Sequence, residues 1–546
     1  MKINLKIVLS AISGILLALP WLDFFSGIII FFALIPLFLV ENFFYENKEK
    51  YSPIIFFSYA WLSFAVWNLI SFWWAYQPSI YGLIAPVVLN SLFMATVFWL
   101  AHIVKRKLGE NYGNFSFIIF IIAFEYLHHN WDFAFPWLSL GNGLAKEISL
   151  IQWYEFTGIF GGSLWIIIVN LLIFNIIKDS VFVKNIFNKK DPTAKSKLPK
   201  ANRQKYLTLV IIVFIPIIIS LYIFNTYQEK GEKTQIAIIQ PNINPYTEKY
   251  ILTANNQINR MMALADSIKN KNIDLYIFPE TAIPININEA NFDTTKYFIS
   301  IKKFISENPN SNILTGAYTF KEFLPNSSNI PKSATKIENS DKFIDYYNSA
   351  LMFGKEQQIQ VYHKSELLMG VEKMPFQSVF QFVKNIEIDI AGGVTWYGTQ
   401  KEPSIFISQN EKIKIAPIIC WESVFGQNNN KFVQKGANII AVITNDGWWG
   451  NTAAHKTHLR FSQIRAIETR RSVARSANNG ISCFINQKGQ ILQKTNYNQK
   501  IAITNTLFAN EKTTFYTQNG EVIGKISAFL SVLVLLVFFV RSRMKE

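Results

Sequence analysis

Ile415-Ala-Pro-Ile-Ile-Cys420-Trp-Glu422 is an apolar run of strand type that ends in a thiol and a carboxylate. Two other runs end in the same manner. Ile273-Asp-Leu-Tyr-Ile-Phe-Pro-Glu280 ends in a carboxylate, and Ile359-Gln-Val-Tyr-His-Lys364 ends in an amine. α/β folds build their sites at the ends of strands along one edge of a sheet. Taken singly, each residue has an ordinary explanation. A glutamate or lysine after a strand is usually a solvated turn residue, and a cysteine after an apolar run is usually a small core residue. Together the three types suit one reaction. A thiolate attacks, a nearby base removes its proton, and a cation favours the negative charge. Glu280 is the candidate base. Lys364 is the candidate oxyanion partner, helped by the backbone N–H of Trp421, the residue after the nucleophile. Glu372 and Glu422 are further carboxylates close in sequence, and either would orient the lysine.

Around these three runs, residues 227–520 have the texture of a water-facing domain. Short apolar runs bounded by polar or turn residues predict buried strands at Gln235–Gln240, Ile273–Phe278, Asn312–Ala317, Ser349–Phe353, Ile413–Ile419 and Asn438–Ile443. Helical periodicity fits 251–270, 294–307 and 456–475. Alternating strands and helices predict a layered α/β fold. Residues 321–345, rich in Ser, Asn and Lys, read as a surface insertion. The chain has two cysteines, too few for a disulfide framework. Cys483, inside the apolar run 481–485, reads as buried and inert, which leaves Cys420 as the reactive thiol.

The rest of the chain is of membrane type. Of its 546 residues 50% are hydrophobic, and the formal net charge is +16. Lys and Arg cluster beside apolar segments and no nucleic-acid motif appears, so the positive charge does not indicate nucleic acid. A bilayer span needs about 20 mostly apolar residues. Seven such stretches precede residue 230: Ile7–Pro20, Phe25–Val40, Ile54–Trp74, Leu83–Val104, Phe115–Leu127, Ser163–Ile177 and Tyr206–Phe224. The fifth has Glu125, His128 and His129 at its end. An eighth covers Ile523–Val540. The first is read as an anchor, because a second span follows at once without a small-residue cleavage site. Lys105, Arg106 and Lys107, the lysine-rich tract 184–205, and Arg541, Arg543 and Lys545 would all be cytoplasmic by the positive-inside rule. Eight spans with both termini inside satisfy this. The expected division is a bundle over 1–226, a domain outside the cytoplasm over 227–520, and a last span with a cytoplasmic tail over 521–546.

Further motifs extend the pattern. Pro279-Glu280-Thr-Ala-Ile-Pro, Lys364 with Glu372 after it, and Cys420-Trp-Glu422 resemble the Glu–Lys–Cys triad of the nitrilase superfamily. Asn445-Asp-Gly-Trp-Trp-Gly and Arg475-Ser-Ala-Asn-Asn-Gly480 resemble that superfamily's later motifs. With spans on both sides, nearly the whole chain resembles the bacterial apolipoprotein N-acyltransferases, and Phe135-Pro-Trp137-Leu is similar to a loop of that family. The chain departs from the family in having Trp421 where Tyr is common. It also has a longer interval between Glu280 and Lys364. The family's lipid-contacting aromatic would fall on Tyr246 or Tyr250.

The resemblance implies an α-β-β-α nitrilase-like sandwich on a membrane α-helical bundle. It implies a cytoplasmic-membrane enzyme with its catalytic domain on the periplasmic side, acting as a monomer without metal or other cofactor. The implied reaction has two steps. A phospholipid ester acylates Cys420, and the thioester then acylates the α-amine of a lipoprotein's diacylglyceryl-cysteine. Trp137, Trp396, Trp448 and Trp449 would form an apolar rim at the interface, where Trp is favoured; core packing explains such residues equally well. The spacing of His455 and His458 suits metal on a helix, but no carboxylate or further histidine in the sequence completes a set. Two other functions compete. A membrane-anchored amidase of the same superfamily would use the identical triad, and a transporter or sensor would need no nucleophile.

Overall fold

The structure, a computed structural model, describes residues 4–78, 80–178, 180, 203–269, 272–373 and 396–544. The basic-loop residues Lys184, Lys189, Lys190, Lys195, Lys197 and Lys200, together with Lys545, lie outside the described residues. The chain divides into two units, one of 1–76, 80–226 and 521–546, the other of 77–79 and 227–520.

The first unit is helical. Among the described residues, six of its helices are long and apolar enough to cross a membrane: Gly27–Glu46, Pro53–Tyr76, Gly82–Leu108, Tyr154–Ile177, Arg203–Thr226 and Val522–Arg543. Two segments of the expected eight do not reach that standard. Leu5–Trp21 is shorter. Glu110–His128 carries Glu110, Glu125 and His128. The second helix also continues past the expected end at Val40 and buries Glu41, whose carboxylate meets His102 Nδ1 at 2.7 Å and Lys105 Nζ at 2.6 Å. Pairing of this kind is what allows a charge inside a bundle.

The second unit is a four-layer sandwich, with two sheets facing each other and helices outside. One sheet runs β14-β1-β2-β4-β6-β5, with β3 also on β4 and β7 on β6. Its strands are β1 (Glu232–Gln240), β2 (Leu275–Ile277), β3 (Ile283–Asn288), β4 (Asn312–Phe323), β5 (Thr335–Lys336), β6 (Phe343–Phe353), β7 (Gln360–His363) and β14 (Ile501–Ala509). The other runs β13-β12-β11-β10-β9-β8. It comprises β8 (Phe406–Ile407), β9 (Lys414–Ile419), β10 (Ile439–Thr444), β11 (Ser472–Ala477), β12 (Cys483–Ile485) and β13 (Ile491–Lys494). The centre of each sheet is parallel: β1, β2 and β4 in one, β9, β10 and β11 in the other.

The twofold alternation of side chains builds the layers. In β1 and β2, Ile236, Ile238, Leu275 and Ile277 face the second sheet and pack with Ile415, Ile418, Ile440 and Val442. Their neighbours Ala237, Ile239 and Tyr276 pack instead with Ile258, Met261 and Phe304 of helices Ala254–Asp266 and Ile299–Glu307. Helices Gly426–Gln434 and Ala453–Thr469 supply Phe432, Leu459 and Ala466 to the core around the second sheet. The expected strands all form.

One helix ends earlier than its periodicity suggests. The 456–475 reading stops at Thr469. Arg470 turns the chain with φ 51°, and 472–477 become β11, paired in parallel with β10. The mixed polarity of Ser472-Val-Ala-Arg-Ser-Ala477 is compatible with either element, and the partner strand decides it. The 321–345 insertion is a hairpin extension. β4 and β6 pair out to Phe323 and Phe343, and an exposed tip lies beyond. Cys483 is fully buried in β12, where burial pushes its thiol up to about 12.

Candidate active site

The three strand-end residues come to one cleft with ≈ 970 Å³ of empty space, lined also by Lys249, Tyr250, Tyr318, Asn348, Glu372, Trp421 and Trp448. Cys420 follows β9, which lies between β10 and the edge strand β8 in the second sheet. Its φ of 49° puts a side chain in the left-handed region, which costs roughly 1–2 kcal/mol. The sharp bend takes the thiol out of the strand and into the cleft. Glu422 stabilises the bend from inside. It is fully buried, and its Oε2 accepts the Ile419 N–H at 2.8 Å. Its Oε1 accepts from Tyr362 Oη at 2.6 Å and from Ser365 N and Oγ at 2.8 Å. Glu422 therefore does not orient Lys364 directly. It ties the turn after β7, which carries Lys364, to the turn after β9.

Glu372 does contact the lysine. Lys364 Nζ lies 2.9 Å from Glu372 Oε1 and 3.2 Å from Glu280 Oε1. Asn348 Nδ2, from β6, donates to the same two oxygens at 3.0 and 2.9 Å. The second oxygen of Glu280 accepts the Asn445 N–H at 3.1 Å. Gly316 of β4 lies flat against this corner, and a Cβ there would stand 2.7 Å from the Glu280 Cα.

The charges follow from these contacts. Burial works against the Lys364 ammonium, but Glu372 and Glu280 outweigh it and hold the amine protonated well above the usual lysine range. Burial likewise works against the Glu280 carboxylate. Lys364, the Asn348 amide and Lys249 overcome it and keep Glu280 ionised below the usual range. The Cys420 thiol is pushed well up by burial and by Glu280, with Lys364 opposing. The resting arrangement is a protonated thiol and an ionised carboxylate lining one cleft.

Behind the nucleophile lies a buried network at two motifs already quoted. Arg475 Nη2 donates to Asp446 Oδ2 at 2.6 Å, and Asp446 Oδ1 lies 3.0 Å from His458 Nδ1. His458 Nε2 lies 3.0 Å from the Cys420 carbonyl oxygen. Its spacing from His455 had a metal reading; its ring nitrogens are instead turned to Asp446 and Cys420. His455 packs on the Tyr497 ring at 4.9 Å.

The aromatic candidates divide. Trp448 and Trp449 line the cleft, and so does Tyr250; Tyr246 hydrogen-bonds the Trp448 carbonyl at 2.8 Å beside it. At 396–397 the lining residue is Tyr397, not Trp396, and its ring stacks on Tyr318. Trp137 is fully buried in the helical unit against Phe72 and Trp74, so it is a packing residue rather than part of a rim. Sequence reading missed Lys249, Asn348 and Tyr318. A lone lysine in the polar run Thr247-Glu-Lys249 looks like surface, yet its side chain is buried in the cleft.

The comparisons with known proteins agree with this architecture. Residues 13–172 match the apolipoprotein N-acyltransferase N-terminal domain, and residues 235–509 match the carbon-nitrogen hydrolase family. An apolipoprotein N-acyltransferase of Chlorobaculum tepidum is 25% identical over 543 residues, covering 98% of this chain and 97% of that protein. One of Thermotoga maritima is 24% identical over 556 residues, covering 98% and 95%. Among solved structures, an amidase from Nesterenkonia sp. is similar at 12% identity and a TM-score of 0.35, covering 53% of this chain and 94% of that one. With half its length in the hydrolase match and the acyltransferase N-terminal domain ahead of it, the chain belongs to the carbon-nitrogen hydrolase family and is an integral membrane acyltransferase.

Proposed function

We propose that the chain transfers a fatty acyl group from a membrane phospholipid, through a thioester on Cys420, to the α-amine of a diacylglyceryl-cysteine at a lipoprotein's N-terminus. The observation that carries the reading is the convergence of Glu280, Lys364 and Cys420 on one cleft. Glu280 takes the thiol proton as sulfur attacks the ester carbonyl. The C–S bond forms, the ester C–O bond breaks, and Glu280 returns the proton to the departing lysophospholipid oxygen. The amine then attacks the thioester. The C–N bond forms, the C–S bond breaks, and the amine's proton passes through Glu280 back to sulfur. Lys364 and the Trp421 N–H hold the oxyanion in both steps, with Glu372 orienting the lysine. Apolar walls from Trp448, Trp449, Leu368 and Val371 favour transfer over hydrolysis by excluding water.

In this reading residues 227–520 work on the periplasmic side of the cytoplasmic membrane, between a bundle over 1–226 and a last span over 521–546. The enzyme is a monomer and needs no cofactor. Both substrates are membrane-bound, which gives a reason for tethering the active site to so many apolar helices.

The test is mass spectrometry of the enzyme after incubation with phospholipid and no acceptor. Wild type gains one fatty acyl group on Cys420, and Cys420→Ala gains none. If only water-soluble amides react, the chain is an amidase. If Cys420→Ser leaves function intact, the chain is a transporter or sensor.

A further inference from the structure

The cleft contains two buried lysines, and only one of them is in ion-pair contact with carboxylates. Lys364 has Glu280 and Glu372 within 3.2 Å. Lys249 is 4% exposed and, among the described residues, has no carboxylate oxygen within ion-pair distance. Its polar contact is the Thr281 hydroxyl, 2.5 Å from Nζ. The rings of Tyr318 and Trp448 lie 5.6 and 5.8 Å from the ammonium and offer their π-faces. A lysine ammonium has three N–H donors. One is directed at Thr281 and the rings accept no ordinary hydrogen bond, so donor capacity remains beside the cleft. Keeping such a group dry is costly unless an anion arrives to complete it.

We propose that Lys249 is the anion-binding residue of the donor subsite and receives the phosphodiester of the acyl-donor lipid, placing its ester carbonyl at Cys420. This inference rests on the acyl-transfer reading above. The chemistry selects the ligand. The donor has one obligatory anion, the phosphodiester, a short distance from the ester to be broken. Lysine binds phosphate as a compact point charge. Tyr318 and Trp448 hold the ammonium in place without neutralising it. Lys364 cannot serve, because its donors are committed to two carboxylates and to the oxyanion that forms during reaction.

The experiment compares two donors with identical acyl chains in mixed micelles, phosphatidylglycerol and diacylglycerol, by the rate of acyl-Cys420 formation. Wild type should prefer the phospholipid by about 10- to 100-fold in kcat/KM, the worth of one charged hydrogen bond to phosphate. Lys249→Met should lose most of that preference, chiefly through KM; any loss that follows from its help in keeping Glu280 ionised falls on both donors alike, so the ratio of the two kcat/KM values is the readout. Lys249→Arg should keep the preference. Equal use of the two donors by wild type overturns the proposal and leaves the acyl-transfer reading standing; no use of either lipid removes that reading. Equal losses on both donors in Lys249→Met overturn the subsite assignment too, since the lysine would then only support the thiolate.

Discussion

Cys420 resists ionisation, and that decides how it reacts. Burial and Glu280 hold its proton on sulfur, and in the proposed reaction the thiolate forms as Glu280 accepts the proton. Glu280→Gln keeps the shape and the Asn348 contact but cannot accept a proton. It should lower the acylation rate about 10²- to 10⁴-fold with little change in KM, read by single-turnover kinetics. A loss below tenfold would remove Glu280 from the base role. Lys249 sets a pH limit of its own. Burial lowers its ionisation to about 8, with Glu280 and Cys420 opposing. Lys249 is charged below that pH and neutral above it, so kcat/KM for phospholipid should fall as pH rises through about 8. In Lys249→Arg, charged throughout, the fall should disappear. The same group should show a trade-off in stability. At pH 7 it is protonated both folded and unfolded, and the folded state bears the desolvation cost of a buried charge. Lys249→Met should therefore stabilise the fold by about 1 kcal/mol or more at pH 7, read as a higher melting temperature in detergent, while lowering activity. A lower melting temperature would mean the ammonium is already fully satisfied.

Among the elements, the bend after β9 depends on groups from outside it. Glu422 closes it from below and His458 faces the Cys420 carbonyl from helix Ala453–Thr469. His458→Ala leaves Asp446 and Arg475 in contact and withdraws one of two groups at that carbonyl, the other being the Ser423 hydroxyl, which donates to it at 2.8 Å. It should cut kcat about 10- to 100-fold with KM nearly constant, because the nucleophile is misplaced while the lipid-binding walls are untouched. A change confined to KM would count against a positioning role. The hairpin tip between β4 and β6 should behave in the opposite way. Phe323 and Phe343 are paired partners at the end of the ladder, and the tip beyond them is mostly exposed. Replacing 324–342 with a short turn shortens the closing loop and keeps the β4–β6 ladder, at the loss of the two-residue edge strand β5. Expression, thermal stability and acylation rate should stay within about twofold of wild type. Collapse of any of them would give the tip a role that its exposure does not suggest.

At the scale of the molecule, the tip also reports sidedness. A protease site placed in 324–342 should be cut in intact spheroplasts and protected in inverted vesicles, read by immunoblot of the fragments. The reverse pattern would put the catalytic region in the cytoplasm and exclude a periplasmic lipoprotein acceptor. The six long apolar helices include the membrane span after the domain as well as those before it, so the fragments should all remain in the membrane fraction.

Periodicity determined the layers. Short apolar runs bounded by polar or turn residues read as strands buried on both faces, long apolar runs read as membrane helices, and the motif residues at three strand ends were legible because strand ends have few neighbours to mislead the reading. Tertiary structure alone decided which carboxylate serves the lysine: Glu372 follows Lys364 and Glu422 follows Cys420 in sequence, and only the fold turns the first to Lys364 and the second to Ser365 and Ile419. It also decided that 472–477 is a strand, by placing β10 beside it. It made Lys249 a buried cation instead of a solvated one. Short-range pattern carries burial and direction; the pairing of charges from distant segments depends on which distant segments are packed together.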